Sequence, residues 1–352
     1  MFKENYNVIG VMSGTSLDGV DLAYIKFNNS GRWTFEIFQS ETVSYSEEWL
    51  TKLKNAIHFS TSELEVLNVD YTKLLALIIS DFISKHQLTE IDAVCSHGHT
   101  ILHQPQNGFT LQIGNLPMIR DLVNQTIVCD FRVQDVQLGG QGAPLVPIGD
   151  ELLFSEYDYC LNLGGFSNIS FHENGIRKAF DISPVNTVLN YYANAMGLPY
   201  DDGGTIAKTG TIHPELLAQL NDLDFYARSY PKSLGMEFVQ EIIFPLLHSY
   251  TISVPDVLAT FVEHIAVQVA AVCQPNAKLL ITGGGAYHAF LIDRLAHHLP
   301  SVQISIPDDK TIQFKEALIF ALLGVLRLRN EINVLASVTG AQNDHSSGQI
   351  YS

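Results

Sequence analysis

Positive charge is scarce in this chain. Lysine and arginine number 20 against 37 aspartates and glutamates, a formal net charge of −17 over 352 residues. Nucleic-acid backbones and anionic membranes demand clustered Lys and Arg, so neither is an expected partner. A small anionic ligand needs only a local pocket of backbone N–H groups and a cation, and stays possible. Cysteine is also scarce. Cys95, Cys129, Cys160 and Cys273 form no Cys-x-x-Cys pair, and the first three sit at or beside apolar runs. That pattern reads as small core residues kept reduced. No apolar stretch reaches the roughly 20 residues needed to cross a bilayer. The opening Met1 to Asn7 is polar and lacks the pattern of an export signal. The expected compartment is the cytoplasm. Missing as well are a Gly-x-Ser-x-Gly elbow, a His-Glu-x-x-His pair and a Rossmann glycine triplet.

What is present is apolar: 46% of residues, with only 16% charged, which excludes intrinsic disorder. At about 150 residues per domain the length suggests two domains. Val8 to Met12 reads as a strand, Ser13 to Gly19 as a turn, and Val20 to Phe27 alternates like a second strand. The turn lacks the Gly-Lys-Ser/Thr ending of a Walker A loop and opens no helix, so it is a phosphate-loop candidate of the hairpin kind. Glu47 to Ile57 and Ser62 to Lys85 carry helical spacing, and Asp92 to Ser96 reads as a buried strand. Tyr159 to Ser170 repeats the strand–turn–strand pattern around Gly164-Gly165, about 150 residues after the first. A third glycine turn, Gly283-Gly284-Gly285, follows the strand Lys278 to Thr282 and precedes a helix, Tyr287 to His298. Lys315 to Arg329 forms an apolar helix, and Gln342 to Ser352 reads as a loose polar tail. The architecture expected is α/β with two similar lobes and a site in the cleft between them.

Several residues could carry chemistry. Asp18 and Asp21 flank the first loop and could hold Mg²⁺ through waters, or Asp18 could brace the turn by an Asx bond. The run Ser96-His97-Gly98-His99-Thr100 could suggest zinc, sugar contacts or satisfied structural histidines. Arg132, ahead of Gly139-Gly140-Gln141-Gly142, could fork a carboxylate or form an ordinary salt bridge. Asp181 follows an apolar strand-like start and precedes a helix; it could be a general base or a cap. Asp201-Asp202-Gly203-Gly204 reads as a turn, or as a neighbour of Mg²⁺.

Together these motifs resemble a known family. Ser13-Gly14-Thr15-Ser16-Leu17-Asp18-Gly19-Val20-Asp21, Ser96 to Thr100, and Asp130-Phe131-Arg132 with Gly139 to Pro147 resemble 1,6-anhydro-N-acetylmuramic acid kinases. So do Asn162 to Ile169, Pro231-Lys232-Ser233-Leu234-Gly235, Gly283 to Ala286 and Glu316-Ala317-Leu318, all in the family's order and across the whole chain. The resemblance implies an α/β fold of two ribonuclease-H-like (actin/hexokinase-like) lobes with an inter-lobe active-site cleft. The first lobe would span 1–135 plus about 318–352, and the second 136–317. It implies ATP and Mg²⁺ as cofactors and a homodimer. The reaction implied has water opening the 1,6-anhydro bridge while O6 takes the γ-phosphoryl, giving N-acetylmuramic acid 6-phosphate in cell-wall recycling.

By position, Asp181 resembles the catalytic base. Gly10, Ser13, Gly14, Thr15, Ser16 and Asp18 resemble the first phosphate loop, with Asp18 near Mg²⁺ through water. Gly164, Gly165 and Asn168 resemble the second loop, and Gly283, Gly284 and Gly285 the adenosine motif. His97, Arg132 and Glu316 resemble sugar contacts. One stretch departs. Asp181-Ile182-Ser183-Pro184-Val185-Asn186 stands where the family has Asp-x-Gly-Pro-Gly-Asn, which removes positive-φ options and crowds the space beside the base. Asn190 also replaces a usual acid. Alternative readings are a kinase for another anhydrosugar such as levoglucosan, a phosphohydrolase on the same fold, or a non-catalytic sensor.

Overall fold

A computed structural model of the chain describes residues 3–14 and 17–352. Met1, Phe2, Thr15 and Ser16 lie outside the described residues, and with them two positions of the first phosphate-loop motif. The described residues include twelve strands. The first six are β1 (Asn5–Ser13), β2 (Val20–Asn29), β3 (Trp33–Val43), β4 (Ala93–Gln104), β5 (Phe109–Ile113) and β6 (Ile127–Cys129). The rest are β7 (Tyr159–Leu163), β8 (Phe166–Glu173), β9 (Ile176–Pro184), β10 (Lys278–Thr282), β11 (Gln303–Ser305) and β12 (Gln349–Tyr351).

The chain divides into two units, one of residues 1–153 with 314–352 and one of residues 154–313. The segment 136–153 thus packs with the first unit. Each unit is built on one sheet, and the two sheets share an order. In the first it is β3-β2-β1-β4-β6-β12, with β5 hairpinned onto β4; in the second it is β9-β8-β7-β10-β11. Three antiparallel strands come first, and the fourth lies parallel to the first on its other side. That is the ribonuclease-H-like order, present twice, and it makes the chain an actin/hexokinase-like α/β protein.

In the first unit, strand alternation sends Ile9, Val11, Val94 and Leu22 into a core shared with Leu67, Tyr71, Leu75 and Ile79 of the helix Thr61–Lys85. A capping box starts that helix: Ser60 Oγ accepts from Glu63 N–H, and the Glu63 carboxylate takes Ser60 N–H. The opposite face of the sheet meets the helix Asp309–Leu328. Gly10 has to be glycine there, because a Cβ would fall 2.0 Å from the Ala317 carbonyl oxygen. That helix departs from helical torsions at Phe314 (φ −112°, ψ 18°), where the division into units falls.

The tail expected to be loose is ordered. β12 pairs antiparallel with β6, and Ser347 is buried with its hydroxyl donating to Phe131 O at 2.7 Å. Polar composition suggests solvation, but here the polar groups are used in bonds to Phe131 and β6, over 200 residues away in sequence, and to Asn333.

In the second unit, the helix Val254–Ala270 is buried on nearly every side, packed with β7–β10 and the helix Ala289–His298. Ser253 caps its start through Asp256 N–H. Among the described residues no helix is long and apolar enough to cross a membrane.

Candidate active site

The first unit gathers charge at the β1–β2 turn. Asp18 is exposed, and Asp21 accepts from Thr42 Oγ1 at 2.5 Å. Burial raises the Asp21 carboxyl, and the neighbouring Asp18 charge raises it further. Burial raises Glu316 too; Arg132 and Lys315 oppose that shift, and Asp21 adds to it. Asp21 lies within electrostatic reach of both Asp18 and Glu316. The three do not form a protein cage, and no cluster of three metal-ligating side chains occurs among the described residues.

β4 is longer than its apolar start suggested, and the histidine run lies inside it. Cys95 and His97 share the face toward the helix Asp309–Leu328, with the His97 ring 4.6 Å from Phe320. Gly98 then takes φ +74°, a register irregularity follows, and His99 turns to the Tyr45–Tyr71 face. The two imidazoles therefore point apart, which rules out a shared zinc. His97 Nδ1 donates to Gly98 O (2.9 Å), and its Nε2 accepts from Arg132 Nε at 2.8 Å. Burial and the Arg132 charge keep this ring neutral. Arg132 also donates from Nη1 to Gly142 O at 2.6 Å. Burial pushes this guanidinium down to about 10. Buried Lys315 pairs with buried Asp150 at 2.8 Å, beside Glu316 in sequence.

Gly142 is fixed from behind. Its N–H donates to Asp135 at 2.6 Å, and the other carboxylate oxygen of Asp135 accepts from Thr339 Oγ1 at 2.7 Å. At the first loop, Ser13 Oγ lies 2.7 Å from His99 Nδ1 and 2.6 Å from Tyr45 Oη.

The second unit brings its glycine turns to one end of its sheet. Asn186 donates from Nδ2 to Leu163 O and from its backbone to Gly164 O; Val185 and Thr187 N–H both reach Gly165 O. A Cβ on Gly283 (φ +82°) would fall 2.6 Å from Asn162 Oδ1, and one on Gly285 2.6 Å from Leu163 Cβ. The β7–β8 turn, the start of the helix Asn186–Ala195 and the Gly283–Gly285 turn therefore interlock into one glycine-rich surface, where the missing side chains allow close backbone approach.

Asp181 lies within β9, before its end, and caps no helix. Its cross-strand partner is Asn168, and Ile182 forms a bulge, since Ser183 pairs with Ser167. Asp181 N–H donates to Lys232 O at 3.0 Å, and its Oδ2 accepts from Leu234 N–H at 2.8 Å. Burial raises the carboxyl; the Leu234 bond opposes that shift. The lost glycines are absorbed. Neither Ser183 nor Val185 has positive φ; Val185 is fully buried in the core, and Ser183 N–H donates to Ser167 Oγ at 3.0 Å. Asp201 is a structural cap instead of a metal neighbour, its carboxylate accepting from Ile206 and Ala207 N–H.

A family model described as anhydro-N-acetylmuramic acid kinase matches residues 6–352. The chain belongs to that family. It is 32% identical over 366 residues to the anhydro-N-acetylmuramic acid kinase of Sulfurimonas denitrificans, covering 97% of this chain and 98% of the relative. With the protein of that name from Pasteurella multocida the identity is 35%, over 97% and 96%. A ROK family glucokinase from Streptomyces griseus, solved with glucose and AMPPNP, is 12% identical over 91% of this chain and 99% of its own, with a TM-score of 0.41. As a member of the anhydro-N-acetylmuramic acid kinase family, the protein is an enzyme that transfers a phosphoryl group.

Three features of this kinase escaped the sequence. The Pro231–Gly235 run matched the family as a motif, but nothing in it disclosed that Leu234 holds Asp181. Asp135 and Asp150 carried no local signal, and neither did Tyr45 and Tyr71.

Proposed function

We propose that the protein uses ATP to open 1,6-anhydro-N-acetylmuramic acid by hydrolysis and to phosphorylate O6, yielding N-acetylmuramic acid 6-phosphate. Arg132 is the observation that carries the substrate. Its guanidinium is partly buried and hydrogen-bonds to two neutral acceptors, His97 Nε2 and Gly142 O, with Glu316 and Asp135 as nearby charges. Such a cation gains from an anionic partner, which the lactyl group supplies and levoglucosan does not.

Asp181 takes a proton from water as the water adds to the anomeric carbon. The bond from that carbon to O6 breaks, and O6 becomes the phosphoryl acceptor. The raised carboxyl favours the first step, and the Leu234 N–H fixes one oxygen while the other stays free to receive the proton. Mg²⁺ would neutralise phosphate charge beside Asp18 and Asp21. The backbone of the first loop, with Gly164, Gly165, Asn168 and the Gly283–Gly285 turn, would hold the nucleotide. His97 and Glu316 would flank the sugar with Arg132. A cytoplasmic homodimer fits a soluble intermediate of cell-wall turnover.

The test is ADP release with ATP, Mg²⁺ and the muramyl anhydrosugar, beside levoglucosan and no sugar. Turnover requiring the muramyl sugar supports the reading. Turnover on levoglucosan alone moves the protein to the other anhydrosugar, and ADP formed without any sugar points to a hydrolase.

A further inference from the structure

Ser13 closes a buried chain of hydroxyls in the first unit. Tyr71 Oη lies 2.6 Å from Tyr45 Oη, Tyr45 Oη 2.6 Å from Ser13 Oγ, and Ser13 Oγ 2.7 Å from His99 Nδ1. All four side chains are buried. Each link holds one proton. Tyr71 is fully buried and, among the described residues, its hydroxyl meets only this chain, so its proton goes to Tyr45, and the Tyr45 proton goes on to Ser13.

What remains is the proton of Ser13 itself. Burial brings His99 down to about 4, so the ring is neutral and carries one N–H. With that hydrogen on Nε2, Nδ1 accepts from Ser13, and three protons serve three links. With it on Nδ1, a fourth proton has to leave the chain at Ser13, which is 2% exposed. A buried donor without an acceptor is costly, so the three-proton arrangement is favoured.

We infer that Ser13 is a positioning residue. Its hydroxyl is committed to His99 and so is withheld from the ligand of the loop that follows, and the Tyr71–Tyr45–Ser13–His99 chain sets where β1 ends. This rests on the proposed kinase reading only for the identity of the loop's ligand.

Two measurements test it. In protein labelled with ¹⁵N-histidine, the expected His99 signature is an unprotonated Nδ1, the same with and without a non-hydrolysable ATP analogue. A change to protonated Nδ1 on adding the analogue would overturn the inference, because Ser13 would then be free to donate to the ligand. In a double-mutant cycle, Ser13→Ala and Tyr45→Phe should each raise the KM for ATP about five- to tenfold, the scale of one hydrogen bond, with little change in kcat. The double variant should be no worse than the weaker single one. Multiplying effects, with Ser13→Ala far the worse, would make Ser13 a direct contact and sink the idea. If wild-type protein turned over no anhydrosugar, the kinase reading would fall, while the histidine signature would still decide this one.

Discussion

Asn168 and Asp181 face each other as a cross-strand pair of β8 and β9, placing a residue of the second glycine loop beside the candidate base. Side chains so paired stand about 4.5–5.5 Å apart at Cβ. The bulge at Ile182 then shifts the register, so that Ser183 pairs with Ser167.

Asp181→Asn should lower the muramyl-dependent turnover about 10³-fold, within the range of a lost general base. The amide can still accept from Leu234 N–H, so the fold should persist. ADP release together with an unchanged thermal midpoint would check both halves; retention of more than a tenth of the activity would remove Asp181 from the role.

The acid limb of kcat should lie above the ordinary carboxylate range near 4. Burial raises Asp181, and the base works only when ionised. Activity is therefore full above the raised pKa and falls as pH drops through it. A pH–rate profile shows the limb, and one sitting in the ordinary range would contradict the assignment.

Arg132→Ala should raise the KM for the muramyl sugar about 10²-fold, as expected when a charge-assisted bidentate contact is lost, and leave the KM for ATP within about twofold. Arg132→Lys should recover little of it, because an ammonium cannot span His97 Nε2, Gly142 O and a carboxylate at once. Equal effects on both substrates would mean that Arg132 supports the fold and not the sugar.

Val185→Gly, which restores the family's residue, should destabilise the second unit by about 2 kcal/mol or more, since the side chain is fully buried in its core. Denaturant unfolding measures it. Unchanged stability with a gain in rate would show instead that the valine obstructs the site.

Asn333→Ala should cost about 2–3 kcal/mol. Asn333 is fully buried, donates to Leu323 O and Ser347 O at 2.9 Å, and accepts from Ser347 N–H at 2.7 Å. Its loss leaves backbone groups unpaired and frees the C-terminal segment. Faster proteolysis near Ser347 would report the release; wild-type resistance would count against the tie.

Sequence by itself determined the elements and the family. Period-two alternation marked β2, short apolar runs beside glycine turns marked β1, β7 and β8, helical spacing marked Ser62 to Lys85, and the glycine turns revealed the duplication, because each is written in neighbouring residues. The motifs named the chemistry by residue type and order. What the tertiary structure decided is whatever depends on residues distant in sequence. Polar composition made the C-terminal segment look loose, yet its hydrogen-bonding groups are matched by β6 and Asn333. His97 and His99, two apart, read as one cluster until the bulge at Gly98 parted them. Leu234 holds Asp181 from 53 residues away, and Tyr45, Tyr71 and His99 converge on Ser13. A hydrogen bond is set by a few tenths of an ångström in space, and spacing along the chain carries no record of that.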